Sequence, residues 1–171
     1  MVPLSRDLVV LVIDDNVGMR SIMTSVLRAL GFSSIRLADD AVEAQKLILQ
    51  VKPDLIITDL KMPVIDGVTF VRNLRADESN PFSEVPIIVA TGHTEEKHVK
   101  ACIEAGVDQF LAKPITGRAL AERITRALSP DREFIRTGDY NGPRRAMGGA
   151  YARSEADPGI DMPRPGQRAA G

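Results

Sequence analysis

Short apolar runs alternate with helical patterns five times between residues 8 and 128, and this alternation restricts the possible folds more than any other feature of the sequence. The first run is continuous and rich in β-branched residues, as expected of a central strand that is buried on both faces. Five strand–helix units require crossover connections, so the sequence predicts an α/β fold: a doubly wound, five-stranded parallel sheet with helices on both faces. The predicted strands are Leu8–Ile13, Ser34–Ala38, Leu55–Thr58, Ile87–Thr91 and Gln109–Ala112.

Each predicted strand is followed by a predicted helix. After the first strand, apolar residues recur at helical spacing from Met19 to Leu30, and Gly31 is placed to end that helix. The other predicted helices are Ala41–Gln50, with Asp39 or Asp40 as N-cap, Gly67–Ala76, Glu95–Ala105, closed by Gly106, and Thr116–Leu128.

The composition changes near Ser129. Glycine and proline together make up 12 of residues 1–128 but 12 of the 43 residues 129–171, and apolar periodicity is lost there. We therefore predict a short lead at 1–6, a folded domain at 7–129 and a largely disordered extension at 130–171. Phe134, Ile135 and Tyr140 leave open a second possibility, that the extension docks on the face formed by helix four, strand five and helix five.

Composition excludes several classes of protein. The net charge is −1, which gives no strong field for nucleic acid, and the single cysteine, Cys102, rules out both an internal disulfide and a cysteine-based zinc finger. The longest apolar run, Leu8–Ile13, is far shorter than the roughly 20 residues that span a bilayer, and Met1–Asp7 lacks the apolar core of a signal peptide. We expect a cytoplasmic protein with no membrane association and no direct DNA binding.

Charged and polar residues converge where the predicted strands end. Asp14 and Asp15 follow the first strand, Asp59 the third, Thr91 closes the fourth and Lys113 follows the fifth. Ligands of open parallel sheets bind at the carboxyl ends of the strands, so these side chains predict a site at that edge.

The chemistry of this set indicates a cation and a phosphoryl group. Three neighbouring carboxylates repel one another unless a cation lies among them, and a few oxygen ligands with room for water and phosphate suit Mg²⁺ better than Ca²⁺ or Zn²⁺. The Lys113 ammonium and the Thr91 hydroxyl are then placed to hold phosphoryl oxygens.

Each of these residues alone would more often be an ordinary boundary residue, such as a helix N-cap. Asp54, Asp66 and Asp77 are interpreted in that way, and only the joint occurrence at one sheet edge favours a site. His93 and His98 have no partners at metal-ligand spacing in the sequence and are interpreted as loop and surface residues. Neither a glycine-rich dinucleotide turn nor a P-loop is present.

The sequence resembles the response-regulator receiver domain, the phosphorylation module of bacterial two-component signalling. The resemblance spans Asp7–Leu128, about three quarters of the chain, and implies a flavodoxin-like (βα)5 fold with strand order 2-1-3-4-5. The matching segments are Val12–Asn16, Ile56–Gly67, Ile88–Gly92 and Phe110–Pro114.

The resemblance implies a role for each residue of the acidic set. Asp59 is the expected phosphoacceptor, and Mg²⁺ is the expected cofactor. Its expected ligands are Asp15, Asp59 and the backbone carbonyl of Lys61, with Asp14 acting mostly through water.

The resemblance also implies the residues that respond to phosphorylation. Thr91 and Lys113 would hold the phosphoryl oxygens, and Phe110 matches an aromatic switch position whose ring turns inward as the threonine moves. Lys61 and His93 lie two residues after Asp59 and Thr91, at positions that modulate dephosphorylation in this family.

As implied by the resemblance, the chain is a stand-alone regulator and not an enzyme beyond autodephosphorylation. It would accept a phosphoryl group from a histidine kinase or a histidine phosphotransfer protein and then bind a downstream protein target. A homodimer through helix four, strand five and helix five is possible. The main alternative is a phosphorylation-independent receiver-like binding module. A haloacid-dehalogenase-like hydrolase is disfavoured because Lys61 stands where a second aspartate is needed.

Overall fold

The computed structural model describes residues 7–93 and 95–145, and the predicted α/β architecture is confirmed. Five parallel strands form one sheet in the order β2-β1-β3-β4-β5, and a helix follows each of them. The strands are β1 (Val9–Ile13), β2 (Ser34–Ala38), β3 (Leu55–Asp59), β4 (Ile87–Thr91) and β5 (Gln109–Ala112), and the helices are α1 (Val17–Ala29), α2 (Ala41–Val51), α3 (Gly67–Ala76), α4 (Glu96–Ala105) and α5 (Gly117–Ala127).

The two faces of the sheet carry separate hydrophobic clusters. In β1, Val10 and Val12 pack against α1 and α5, whereas Leu11 and Ile13 pack with α2, α3 and α4. Successive side chains of a strand point to opposite faces, so a continuous apolar run is what a strand covered on both sides requires. Because helices cover both faces of the sheet, polar side chains collect at its carboxyl edge.

Helix termini follow the predicted capping pattern closely. Asp40 caps α2 by accepting a hydrogen bond from the Glu43 N–H at 2.7 Å, which decides between the two candidates. Gly106 ends α4 with a φ of +90°, a conformation that residues with a Cβ rarely adopt. Predicted boundaries shift by a residue or two, as where Glu95 and Thr116 become the N-caps of α4 and α5.

The structure differs from the sequence analysis after α5. Where no regular element was expected, an antiparallel hairpin forms from β6 (Phe134–Thr137) and β7 (Tyr140–Pro143). The extension predicted at 130–171 is therefore ordered over this part, while the prediction for residues 146–171 and for the lead at 1–6 lies outside the described residues.

Contacts made by arginines stabilise the hairpin. Its strands lack apolar periodicity, so hydrophobic patterning does not predict them. Arg136 donates to the Arg75 carbonyl at 2.8 Å and to Ser83 Oγ at 2.9 Å, and Arg132 pairs with Asp108. The Phe134 ring lies 5.1 to 5.6 Å from the guanidinium carbons of Arg75, Arg132 and Arg136, a cation–π distance.

The hairpin docks at the end of the sheet opposite the acidic residues. Its strand β7 packs on the carboxyl ends of α3 and α4, and a Cβ on Gly106 would lie 2.1 Å from the Asn141 carbonyl oxygen. The sequence left open docking on the face of α4, β5 and α5, and of these elements the hairpin contacts α4, together with α3. The buried Asp108 carboxylate near the amino end of β5 pairs with Arg132, and the Arg75 carbonyl and Ser83 Oγ accept from Arg136, so these contacts hold the hairpin at this end of the sheet.

Among the helices of the described residues, none combines the length and apolar character needed to cross a membrane.

Candidate functional site

Three carboxylates predicted from the sequence meet at the carboxyl edge of the sheet. Asp14 and Asp15 directly follow β1, and Asp59 is the last residue of the adjacent strand β3. One carboxylate oxygen from each lies within 4.8 Å of the other two. Asp14 is buried and Asp15 is exposed, so the cluster opens to solvent on one side.

Lys113 places a cation inside this cluster. Its Nζ donates to Asp14 Oδ2 at 3.0 Å and to Asp59 Oδ1 at 3.1 Å, although β3 and β4 lie between β5 and β1 in the sheet. The Lys113 N–H also donates to the Thr91 carbonyl at 2.9 Å, which fixes the start of the β5–α5 loop, and the Lys113–Pro114 peptide bond is cis. The lysine therefore bridges the buried Asp14 and the half-buried Asp59 and neutralises part of their charge.

Burial and charge act in opposite directions on Asp59 and Lys113. Burial raises the pKa of the Asp59 carboxyl, and the attraction of Lys113 offsets this only in part, while the negative charge of Asp14 adds to the rise. Burial alone would lower the pKa of Lys113, but its hydrogen bonds and charge interactions with Asp14 and Asp59 outweigh that effect and raise it. Lys113 stays protonated, and the Asp59 carboxyl lies in a partly desolvated place beside it.

The donor set fits a hard divalent cation. All three acidic side chains offer oxygen, which Mg²⁺ prefers, and two of them already accept hydrogen bonds from an ammonium group. The cluster thus attracts positive charge by its own geometry, and its open side leaves space for water and an anionic group.

Thr91 and Phe110 lie on one side of the sheet next to this cluster. Thr91 ends β4 and is buried, and its Oγ1 accepts a hydrogen bond from the His93 N–H at 2.9 Å. Thr91 follows Val89 by two residues, so both point to the same face, and Val89 pairs in register with Phe110 on β5. Strand pairing thus places Thr91 and Phe110 on adjacent strands, with Val89 opposite Phe110.

The ring of Phe110 is already inside the protein. Its exposure is 2%, within the cluster formed with α2, α3 and α4. The sequence analysis expects this ring to turn inward on phosphorylation, but the ring has little exposed surface left to bury. The switch role of Phe110 stays a prediction.

Two residues expected to modulate dephosphorylation stand at the rim. Lys61 is exposed in the β3–α3 loop, and the His93 side chain is 40% exposed in the β4–α4 loop. Both positions are accessible from solvent, and their effect on a phosphoryl group stays a prediction. The acids interpreted as ordinary are engaged locally: Asp54 accepts from the Val9 N–H, Asp66 caps α3 and Asp77 accepts from Ser79.

Sequence reasoning missed two residues that shape the site. A Cβ on Gly67 would lie 2.2 Å from the Asp59 carbonyl oxygen, so only glycine lets α3 begin this close to β3. The Arg20 guanidinium donates to the Asp14 carbonyl at 2.5 Å and steadies the β1–α1 loop. Gly67 carried a signal, since a glycine follows the Asp66 cap, whereas Arg20 looks like any exposed arginine on a helix.

Comparison with known proteins agrees with the geometry. A family model described as the response regulator receiver domain matches residues 10–125. The chain is 31% identical over 121 residues to chemotaxis protein CheY-3 of Vibrio cholerae serotype O1, which covers 71% of this chain and 92% of that protein.

Solved structures show the same relationship. The receiver domain of sensor histidine kinase PA1611 from Pseudomonas aeruginosa, described with a magnesium ion coordinated in the active site cleft, is 29% identical with a TM-score of 0.63 and covers 70% of this chain and 95% of its own. A chain of the CheX–CheY–BeF3–Mg complex from Borrelia burgdorferi is 27% identical with a TM-score of 0.62 and covers 69% of this chain and 87% of its own.

Proposed function

The chain belongs to the response regulator receiver family, and on that premise we propose that it is a signalling switch that accepts a phosphoryl group on Asp59. The observation that carries the proposal is the single constellation of Asp14, Asp15, Asp59 and Lys113 at one sheet edge, with Thr91 on the neighbouring strand. The donor would be a histidine kinase or a histidine phosphotransfer protein, and the chain would act as a phosphoacceptor rather than as an enzyme with its own substrate.

Phosphoryl transfer forms one bond and breaks another. A carboxylate oxygen of Asp59 forms a bond to phosphorus while the bond from phosphorus to the donor's leaving group breaks, and the leaving group keeps the electron pair. The Asp59 carboxyl is partly desolvated, which favours its reaction with an electrophile, and Lys113 is within reach of the added phosphoryl oxygens.

We propose that Asp14, Asp15, Asp59 and the backbone carbonyl of Lys61 hold Mg²⁺, with Asp14 acting mostly through water. When bound, Mg²⁺ supplies positive charge that offsets the repulsion between the carboxylates and the anionic phosphoryl group. Lys61 and His93 would modulate the lifetime of the acyl phosphate from the rim of the site.

Output would follow from Thr91. A phosphoryl group on Asp59 offers acceptor oxygens to the Thr91 hydroxyl, which at present accepts from the His93 N–H. If Thr91 moves, the β4–α4 loop and the packing of Phe110 change with it, so the surface of α4, β5 and α5 takes a second form. We propose that this surface binds a downstream protein or a second copy of the chain.

The chemistry is tested by treating the full chain with acetyl phosphate and Mg²⁺ and measuring its intact mass. Wild type should gain about 80 Da, the mass of one phosphoryl group. Asp59→Asn should gain nothing, whereas Asp66→Asn should behave as wild type because asparagine caps α3 as well as aspartate does. An unmodified wild type would contradict the proposal and favour a phosphorylation-independent binding module, and a labelled Asp59→Asn would place the acceptor elsewhere.

A further inference from the structure

Both histidines of the 171-residue chain lie beside one glutamate at the start of α4. His93 follows β4 by two residues, Glu95 is the N-cap of α4, and His98 lies in the first turn of the helix. One ligand atom from each side chain lies within 4.8 Å of the other two. The interpretation of these histidines as residues without partners is therefore corrected: the missed partner is Glu95, whose position between them depends on the path of the loop.

The distances fit a metal ion better than they fit direct pairing. His93 Nδ1 is 3.9 Å from Glu95 Oε1 and His98 Nε2 is 3.8 Å from Glu95 Oε2, which is too long for a hydrogen bond. A tetrahedral zinc ion, with ligand bonds of about 2.0–2.1 Å, places its ligand atoms about 3.3–3.5 Å apart. Small rotations of these exposed or partly exposed side chains would close the remaining gap.

Glu95 is the N-cap residue of α4, but its side chain makes no capping hydrogen bond to the first turn of the helix. The Glu95 carboxylate lies between the two imidazoles.

We propose that His93, Glu95 and His98 bind one Zn²⁺ ion, at a site separate from the carboxylates that hold Mg²⁺. Two imidazoles and one carboxylate are a zinc ligand set that leaves a fourth position for water, whereas the oxygen-only set of Asp14, Asp15 and Asp59 suits Mg²⁺. The thiol of Cys102 does not compete, because burial raises its pKa to about 12.

The zinc site is joined to the switch by one hydrogen bond. The backbone N–H of His93 donates to Thr91 Oγ1, so an ion that fixes the His93 side chain also favours the loop conformation in which this bond exists. This coupling rests on the proposed function, in which phosphorylation moves Thr91. Zinc binding and phosphorylation then change each other's equilibria by the same factor.

Binding is tested by calorimetric titration of the tag-free full chain with Zn²⁺ in excess Mg²⁺, together with NMR of the two imidazoles. We expect one Zn²⁺ per chain and shifts of both imidazole spectra. His93→Gln, Glu95→Gln and His98→Gln should each weaken binding by more than about tenfold, since even indirect support of a metal ligand is worth about 10–100-fold.

Two variants serve as controls. Glu96→Gln changes the next exposed glutamate and should bind as wild type, and Asp15→Asn should keep zinc binding although it alters the Mg²⁺ cluster. Wild type that takes up no Zn²⁺ in excess Mg²⁺, or ligand variants that bind as tightly as wild type, would overturn the zinc site. Unchanged thermal unfolding of the variants confirms that the fold is intact.

The coupling has its own measurement, which separates it from the chemistry of Asp59. Protein shown by mass to be phosphorylated should bind Zn²⁺ at least about fivefold more weakly than unmodified protein. Equal affinity of the two forms would overturn the coupling, and it leaves both the zinc site and the acceptor role of Asp59 standing.

Discussion

Replacing Arg75 with methionine is expected to lower the free energy of unfolding by about 3–5 kcal/mol, the usual cost of removing one partner from a buried ion pair. The Arg75 side chain is 1% exposed and its guanidinium donates to Asp108 at 3.0 Å. It also donates to the carbonyls of Gly106, Ser83 and Val85 at 3.1, 2.7 and 2.8 Å.

The cost arises from what the substitution leaves behind. Asp108 stays buried with less positive charge near it, and three carbonyls lose their donor in a place that water does not reach easily. Burial lowers the pKa of Arg75 to about 10, against the attraction of Asp108, so the guanidinium is still charged at neutral pH. Arg75 and Asp108 also anchor the hairpin, because Arg132 pairs with Asp108 and the Phe134 ring lies beside the Arg75 guanidinium.

Urea unfolding provides the measurement, and Arg72→Met provides the control. Arg72 lies on the exposed side of the same helix, so its replacement should change the unfolding free energy by less than about 0.5 kcal/mol. If the unfolding free energies of Arg75→Met and Arg72→Met differ by less than about 0.5 kcal/mol, the buried network does not stabilise the fold.

Asp15→Asn is expected to slow phosphorylation by acetyl phosphate by about 100-fold or more, equivalent to about 2.7 kcal/mol of lost transition-state stabilisation. Asparagine keeps the size of the side chain but removes one negative charge from the cluster that attracts the cation. The fold should be unaffected or stabilised, because repulsion with Asp14 and Asp59 is relieved.

The rate is followed by intact mass over time, with and without EDTA. Asp39→Asn is the matched control, since Asp39 is exposed after β2 at the same edge of the sheet but does not belong to the cluster. EDTA should slow wild type and Asp39→Asn strongly and Asp15→Asn little. An Asp15→Asn protein that reacts at the wild-type rate, or a wild type indifferent to EDTA, would show that the cluster does not act through a metal ion.

The fold and the acidic cluster could be predicted from the sequence because they follow from local patterns. Apolar runs fix the strands, their spacing requires crossovers, and a parallel sheet brings the residues after β1, β3 and β5 to one edge. Lys113 reaches Asp14 and Asp59 for the same reason, although the three residues are far apart in the chain.

The features that sequence analysis missed depend on contacts with no local signature. Arg75 sits on α3 like a surface arginine, and nothing nearby indicates that Asp108, 33 positions later, is its partner. The hairpin is stabilised through Arg132 and Arg136, which bind elements far earlier in the chain, so its strands show no apolar alternation. The position of Glu95 between two histidines likewise depends on how the β4–α4 loop turns.

Hydrogen exchange of the full chain before and after treatment with acetyl phosphate and Mg²⁺ tests the central claim most directly, which is that a phosphoryl group on Asp59 changes the surface beyond Thr91. With Asp59 modified, exchange should change in the β4–α4 loop and in β5 around Phe110, while the hairpin at the opposite end of the sheet should stay as it was. Asp59→Asn under the same treatment should show no change. Unaltered exchange from Thr91 to Lys113 in protein whose Asp59 carries the phosphoryl group would contradict the account.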